Sequence, residues 1–117
     1  MNRDQKYTTQ AKADIYDSAI EVFNHLYKEL RTLGTKKPSE TLSEHKVKVV
    51  NRLLSDLAEA LKDETESKYL DLLDDEVLPQ YSDAIFALAQ YDGALKSFYS
   101  RYRGYQPALN ENTWFIK

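Results

Sequence analysis

The sequence contains no cysteine, only two histidines, and only three glycines in 117 residues. Without cysteine the chain has no disulfide framework, no thiolate nucleophile and no cysteine-ligated metal. His25 and His45 are too few for a metal site built on imidazoles, and the Glu-x-x-His pairs of carboxylate-bridged metal sites are missing. The glycines, at positions 34, 93 and 104, are too scattered for a phosphate-binding loop. We therefore expect no metal, no cofactor and no enzymatic activity.

Long hydrophobic runs are also missing. The sequence has no stretch of about 18 uncharged apolar residues, the minimum for a membrane-spanning helix. Its first ten residues are polar and charged, which does not fit a signal peptide. We expect a cytoplasmic protein that does not enter a membrane. Because 42% of the residues are hydrophobic, residues 1–117 can form a single domain with its own core.

Three long segments repeat apolar residues at spacings of three and four, the period of an α-helix. They predict helices over about 9–33, 41–62 and 82–103. The first segment has two adjoining apolar stripes, so its helix should contact more than one neighbour and lie at the centre of a bundle. The second segment has the most regular stripe, formed by Val47, Val50, Leu54, Leu57 and Leu61.

Residues at the segment ends indicate where these helices begin and end. Gly34 supplies a residue that ends helices in the left-handed conformation. Thr41 and Glu44 have the spacing of a capping box, and Ser82 is the predicted N-cap of the last long helix.

Two further segments complete the predicted architecture. A short helix is expected over 67–74, and residues 105–117 form a C-terminal tail. The predicted fold is all-α: an antiparallel bundle of three long helices plus one short helix, with that tail.

Charge is unevenly distributed along the chain. The net charge of −3 combines +2 over residues 1–62, −8 over residues 63–92 and +3 over residues 93–117. The acidic middle region could be a solvated connector, dock a basic partner, or meet the basic end of a second copy.

The segment 96–106 mixes cations with aromatic rings. Lys96, Arg101 and Arg103 could bind nucleic acid, since guanidinium groups contact phosphates and flat rings stack on bases. Arginine and tyrosine are also enriched at protein-protein hot spots. A third interpretation is structural, with the tyrosines packed on the bundle and the cations at a helix C-terminus.

The tail ends in the three large apolar residues Trp114, Phe115 and Ile116. They either fold back onto the bundle or insert into a partner's groove, because exposing them is unfavourable. The predicted function is that of a non-enzymatic interaction protein, an accessory or regulatory subunit that docks a protein partner or a second copy. The predicted partner-binding residues are Tyr99, Arg101, Tyr102, Arg103, Tyr105, Trp114, Phe115 and Ile116. The alternative is a small nucleic-acid-binding subunit.

Overall fold

The computed structural model describes residues 4–117, and these residues are mostly helical. The elements in chain order are helix α1 (Gln10–Lys36), helix α2 (Glu44–Leu61), the 3-10 helix η1 (Thr65–Tyr69), helix α3 (Tyr81–Tyr102), strand β1 (Arg103–Gln106) and strand β2 (Glu111–Trp114). The three long helices lie where periodicity predicts them, with ends shifted by up to three residues. In this part of the chain no helix is both long and apolar enough to cross a membrane.

The predicted end of the first helix at Gly34 is wrong. Helix α1 continues to Lys36, and no glycine in the described residues has a positive φ. Gly34 is buried against α3 instead, where an added Cβ would overlap Ile85 Cδ1. Its lack of a side chain therefore allows two helices to approach closely.

The predicted caps at Thr41 and Ser82 are also wrong. Helix α2 begins after Ser43, whose hydroxyl accepts the backbone N–H three residues later at 3.1 Å. Helix α3 begins after Gln80, which forms a capping box with Asp83. Thr41 and Gln80 pair with each other in an antiparallel bridge, so the chain is still extended at both positions.

The core forms along α1, which packs against both α2 and α3. This arrangement follows from the two apolar stripes of α1, because each stripe can face a different helix. All five residues of the regular stripe on α2 are buried, as predicted. Phe23 of α1 and Leu88, Tyr91 and Phe98 of α3 complete the centre of the core.

The connector, residues 62–80 between α2 and α3, does not form the predicted helix over 67–74. The 3-10 helix ends at Tyr69, Leu70 is extended, and residues 71–79 form neither helix nor strand. The side chain of Asn51 bonds both backbone groups of Leu73: its amide donates to the carbonyl, and its oxygen accepts the N–H, each at 2.8 Å. Tyr91 donates its hydroxyl to the carbonyl of Asp71 at 3.2 Å. Side chains of α2 and α3 thus bond backbone N–H and carbonyl groups of the connector. In a helix, these groups would have bonded each other.

The predicted tail over 105–117 forms most of a β-hairpin, whose first strand begins at the last residue of the predicted helix, Arg103. Strands β1 and β2 pair antiparallel, with Arg103 opposite Trp114 and Gln106 opposite Glu111. The turn between them contains Asn110 at φ 51°, in the left-handed region that asparagine tolerates better than most residues. The all-α prediction is therefore wrong for the C-terminus, although the fold is broadly helical.

Candidate interaction surface

The residues predicted to bind a partner lie in three different environments. Arg101 points away from the hairpin and towards η1. Its guanidinium bonds Glu64 at 3.0 Å and forms a two-point ion pair with Glu66. The hydroxyl of Tyr102 donates to the same Glu64 carboxylate at 3.0 Å. Both residues therefore hold η1 against the end of α3.

This ion-pair network has clear electrostatic consequences. The hydrogen bond from Arg101 lowers the pKa of Glu66 from 4.5 to about 2. Burial, together with the hydrogen bond to Glu64, raises the pKa of Tyr102 to about 12. Arg101 is consequently neutralised within the chain, and Tyr102 remains protonated at physiological pH.

Lys96 also has an internal carboxylate partner. Its ammonium lies 2.8 Å from Asp92 Oδ2, one turn earlier on α3. Two of the three cations in the nucleic-acid hypothesis, Lys96 and Arg101, are thus paired with acidic side chains.

Trp114 is buried, with 7% of its surface exposed. Its ring packs against Tyr16, Phe98 and Tyr99, at centroid distances of 5.0, 5.6 and 5.9 Å. The indole N–H donates to Asp17 Oδ2 at 3.0 Å. The end of the chain therefore folds back onto the bundle, which is one of the two arrangements considered from the sequence.

Phe115 and Ile116 are partly buried beside Thr8, which precedes α1. The Thr8 N–H donates to the carbonyl of Phe115, and the Lys117 N–H donates to the carbonyl of Thr8, each at 2.9 Å. The Phe115 ring lies 3.2 Å from the position that a Cβ on Gly104 would occupy. These residues close the hairpin end of the bundle and contribute little to its outer surface.

Arg103 remains as the unneutralised cation of this region. Its guanidinium carbon lies 5.2 Å from the centre of the Trp114 ring and 5.8 Å from that of Tyr99. No salt bridge within residues 4–117 involves Arg103. Aromatic faces therefore orient this guanidinium, while its N–H groups keep the capacity to bind an anion.

Exposed tyrosines flank Arg103. Tyr99 is 47% exposed, and Tyr105 is exposed with its hydroxyl 2.5 Å from Asn110 Oδ1. We call Tyr99, Arg103 and Tyr105 the hairpin surface. It presents one oriented cation between two rings, an arrangement suited to a carboxylate with apolar neighbours.

Sequence reasoning did not single out a second apolar surface, between α1 and α2. Here Leu26, Leu30 and Leu33 lie opposite Val49 and Val50 along a groove of about 230 Å³, and Glu29, His45 and Lys46 complete its lining. We call it the α1/α2 groove. The signal for it in the sequence is the unusual width of the apolar face of α1. No cluster of three or more His, Asp or Glu side chains among residues 4–117 could hold a metal ion.

Comparison with known proteins identifies a family. A family model described as Domain of unknown function (DUF8042) matches residues 5–85. No curated protein and no solved structure matches the chain significantly. The matched residues include the α1/α2 groove and the connector, whereas the hairpin surface lies beyond them.

Proposed function

The chain belongs to the DUF8042 family, whose function is unknown, and from its surfaces we propose that it is a non-enzymatic interaction protein. It acts by docking a protein partner on the hairpin surface. The observation that supports this proposal is Arg103, which is held across Trp114 and Tyr99 with no acidic partner in the described chain. Oriented arginines beside exposed tyrosines are typical of protein-binding hot spots.

The chemistry of the hairpin surface defines the partner. A carboxylate would accept the free guanidinium N–H groups, and apolar or aromatic side chains beside it would cover Tyr99 and Tyr105. We therefore propose a protein segment that presents Asp, Glu or a terminal carboxylate next to hydrophobic residues. The rigid support of Arg103 lowers the entropy lost on binding, since the side chain is already oriented.

The nucleic-acid alternative has less support. A nucleic-acid surface needs several cations free to contact phosphates. Arg101 is held by two carboxylates, which leaves Arg103 and the exposed Lys96, loosely paired with Asp92, from the original three. Two cations give a small electrostatic footprint.

Site-specific photo-crosslinking in the native cell tests the proposal. A photoreactive phenylalanine analogue replaces Tyr99 in the full chain, and covalent adducts are detected after irradiation. A matched probe at Phe86, which is 71% exposed on the same helix, reports nonspecific contacts. We expect a discrete protein adduct from position 99 and none of the same mass from position 86.

Two cation variants make the experiment specific. In the position-99 background, Arg103→Ala should reduce the adduct about tenfold, the loss expected for a hot spot worth about 1.4 kcal/mol. Lys96→Ala removes a charge from the same helix and should leave the adduct unchanged. An adduct that is insensitive to Arg103→Ala, absent, or removed by nuclease would overturn the proposal. A salt-dependent gain in anisotropy of a labelled single-stranded oligonucleotide would favour the nucleic-acid alternative.

A further inference from the structure

Strand β1 has an open edge in residues 4–117. Its sheet contains two strands, so β1 and β2 pair with each other along one side only. At the end of β2 the chain supplies further partners: the Gln106 side chain donates to the Trp114 carbonyl at 2.9 Å, and Thr8 bonds the backbone of Phe115 and Lys117. No described residue bonds the opposite side of β1 in this way. The hairpin therefore offers one strand edge to another chain.

The register of the hairpin shows which backbone groups face the open edge. In an antiparallel pair, residues that exchange hydrogen bonds with their partner alternate with residues that do not. The Phe115 N–H donates to the Tyr102 carbonyl at 2.7 Å, directly before β1. In register with this bond, Gly104 exchanges hydrogen bonds with Thr113. The residues at positions 103 and 105 therefore turn their backbone groups away from β2.

Three of these outward groups have no partner in the described chain. The Arg103 N–H donates to the carbonyl of Tyr99 and completes the last turn of α3. The Arg103 carbonyl, the Tyr105 N–H and the Tyr105 carbonyl make no hydrogen bond within residues 4–117. They belong to two residues of the hairpin surface, whose guanidinium also lacks an acidic partner there. A row of free backbone groups and an unpaired positive charge thus occur on the same strand.

The open edge is short. Strand β1 has four residues, and Pro107, which follows it, has no N–H and ends the row. The edge therefore accepts a segment of only a few residues. Arg103 and Tyr105 are two positions apart, so their side chains lie on the same face of the hairpin. A segment that pairs with β1 meets both side chains at once.

We propose that the partner segment binds as a short third strand, antiparallel to β1. This inference rests on the function proposed above and specifies how the segment binds. Antiparallel addition continues the pairing of β1 with β2 and is slightly more stable per residue than parallel addition. One partner residue exchanges two hydrogen bonds with Tyr105, and the residue two positions later donates its N–H to the Arg103 carbonyl.

The same geometry sets the order of side chains in the segment. Residues opposite each other in a bonded pair have Cα atoms about 5.5 Å apart and side chains on the same face. A carboxylate opposite Arg103 reaches the guanidinium, and a β-branched residue opposite Tyr105 packs on its ring. Because the strands run in opposite directions, the apolar residue precedes the acidic one. The partner motif, read from its N-terminus, is an apolar residue, any residue, and then Asp or Glu.

Peptide titration of the isotope-labelled full chain, followed by NMR, tests the proposal. The probe is the acetylated and amidated peptide Thr-Val-Thr-Glu-Thr, and the control is Thr-Glu-Thr-Val-Thr, which has the same composition in the opposite order. The probe should bind about tenfold more tightly than the control, since only the probe places its carboxylate opposite Arg103. It should also slow the solvent exchange of the Tyr105 amide. An Hα–Hα contact should join Gly104 to the central threonine, as in a pair that exchanges no hydrogen bonds.

Two N-methylated forms of the probe separate backbone pairing from side-chain contacts. The valine N–H faces β1 in the proposed complex, whereas the N–H of the central threonine faces away from it. N-methylation of the valine should weaken binding about tenfold, and N-methylation of the central threonine should leave it nearly unchanged. Neither modification alters the protein, so a folding defect cannot cause the difference. Arg103→Ala should weaken binding of the probe about tenfold, and Lys96→Ala should not.

The outcomes distinguish strand addition from the proposed function. Equal affinity of the two N-methylated peptides would overturn strand addition, and so would a preference for the control peptide. A probe that does not bind at millimolar concentration, while position 99 still gives an Arg103-dependent adduct, would overturn strand addition alone. Contact between Gly104 residues of labelled and unlabelled copies without peptide would show that a second copy occupies the edge, and would also overturn it. Insensitivity of both the probe and the adduct to Arg103→Ala would overturn both proposals.

Discussion

The indole N–H of Trp114 donates to Asp17 Oδ2 at 3.0 Å, across 97 positions of sequence. This bond joins strand β2 to helix α1. The Trp114 ring also contacts Tyr16 of α1 and Phe98 and Tyr99 of α3. The last residues of the chain are consequently part of the core, and they form the base on which Arg103 lies.

Removing the Trp114 ring should destabilise the whole bundle. Trp114→Ala should lower the free energy of unfolding by about 3 kcal/mol or more, the usual cost of deleting a large buried aromatic. Urea unfolding followed by circular dichroism measures this change. Tyr105→Ala, an exposed ring on the same hairpin, should change stability by less than about 0.5 kcal/mol. Equal stability of the Trp114 variant and the parent would show that the tail is not part of the core.

The Arg101–Glu66 pair should make stability pH-dependent in acid. The pKa of Glu66 is lowered from 4.5 to about 2 in the folded state, so folding favours its ionised form. That stabilisation is complete above about pH 4.5 and is lost as the pH falls towards 2. At pH 7, Glu66→Gln should cost about 1 kcal/mol, a modest value because the pair is partly exposed to solvent.

Thermal melts of Glu66→Gln and of the parent should converge as the pH falls from 4.5 to about 2. The matched control is Glu76→Gln, which removes an exposed carboxylate on the connector. It should leave the melting temperature nearly unchanged at pH 7. A Glu66→Gln deficit that is constant with pH would indicate a packing effect instead of an ionic one.

Asn51 should be the residue that fixes the connector. Asn51→Ala leaves the N–H and the carbonyl of Leu73 without their partners and should cost about 2 to 3 kcal/mol. Hydrogen exchange should show reduced protection of the Leu73 amide before global unfolding. Asn24→Ala, at an exposed position of α1, is the control and should be close to neutral. Unchanged protection at Leu73 would contradict this role.

Gly34 and Gly93 should respond differently to alanine. Both lie in helices, but a Cβ at Gly93 meets nothing within 4 Å, whereas one at Gly34 overlaps Ile85 Cδ1. Gly93→Ala should stabilise the protein by about 0.5 to 1 kcal/mol, because alanine favours the helix. Gly34→Ala should not gain this amount, since Ile85 must move.

The variant Ile85→Val removes the overlapping methyl group and tests the cause directly. In this background Gly34→Ala should recover part of the stabilisation that alanine gives over glycine in a helix. Differential scanning calorimetry measures this change. Equal gains at the two glycines in the parent protein would show that α1 and α3 do not approach closely at Gly34.

Helix periodicity predicted the long elements well but their ends less well. The stripe on α2 was identified correctly because burial selects apolar residues at every turn of a packed helix. The predicted N-caps of α2 and α3 are wrong, because several polar residues near the start of each helix could act as the N-cap. Ser43 rather than Thr41 caps α2 because the backbone at Thr41 pairs with Gln80, a contact made 39 positions away.

The sequence indicates the segment that carries the candidate site, but not which of its side chains form an accessible surface. The sequence alone does not distinguish the three cations Lys96, Arg101 and Arg103. In the structure, Asp92 pairs with Lys96, and Glu64 and Glu66 neutralise the charge of Arg101. Arg103 instead lies over aromatic rings. The partner of Lys96 is four residues away and follows from helical spacing, whereas those of Arg101 are 35 and 37 residues away.

Local spacing is enough to establish three long helices and most of their buried residues, because an α-helix repeats every few positions and its apolar face must be covered. The tertiary structure decides everything that depends on distant partners. Asn51 holds the connector at Leu73, Asp17 and Tyr16 hold Trp114, and pairing with β2 places Arg103 on the surface. These contacts have no periodic signal, since each joins residues that only the folded chain brings together.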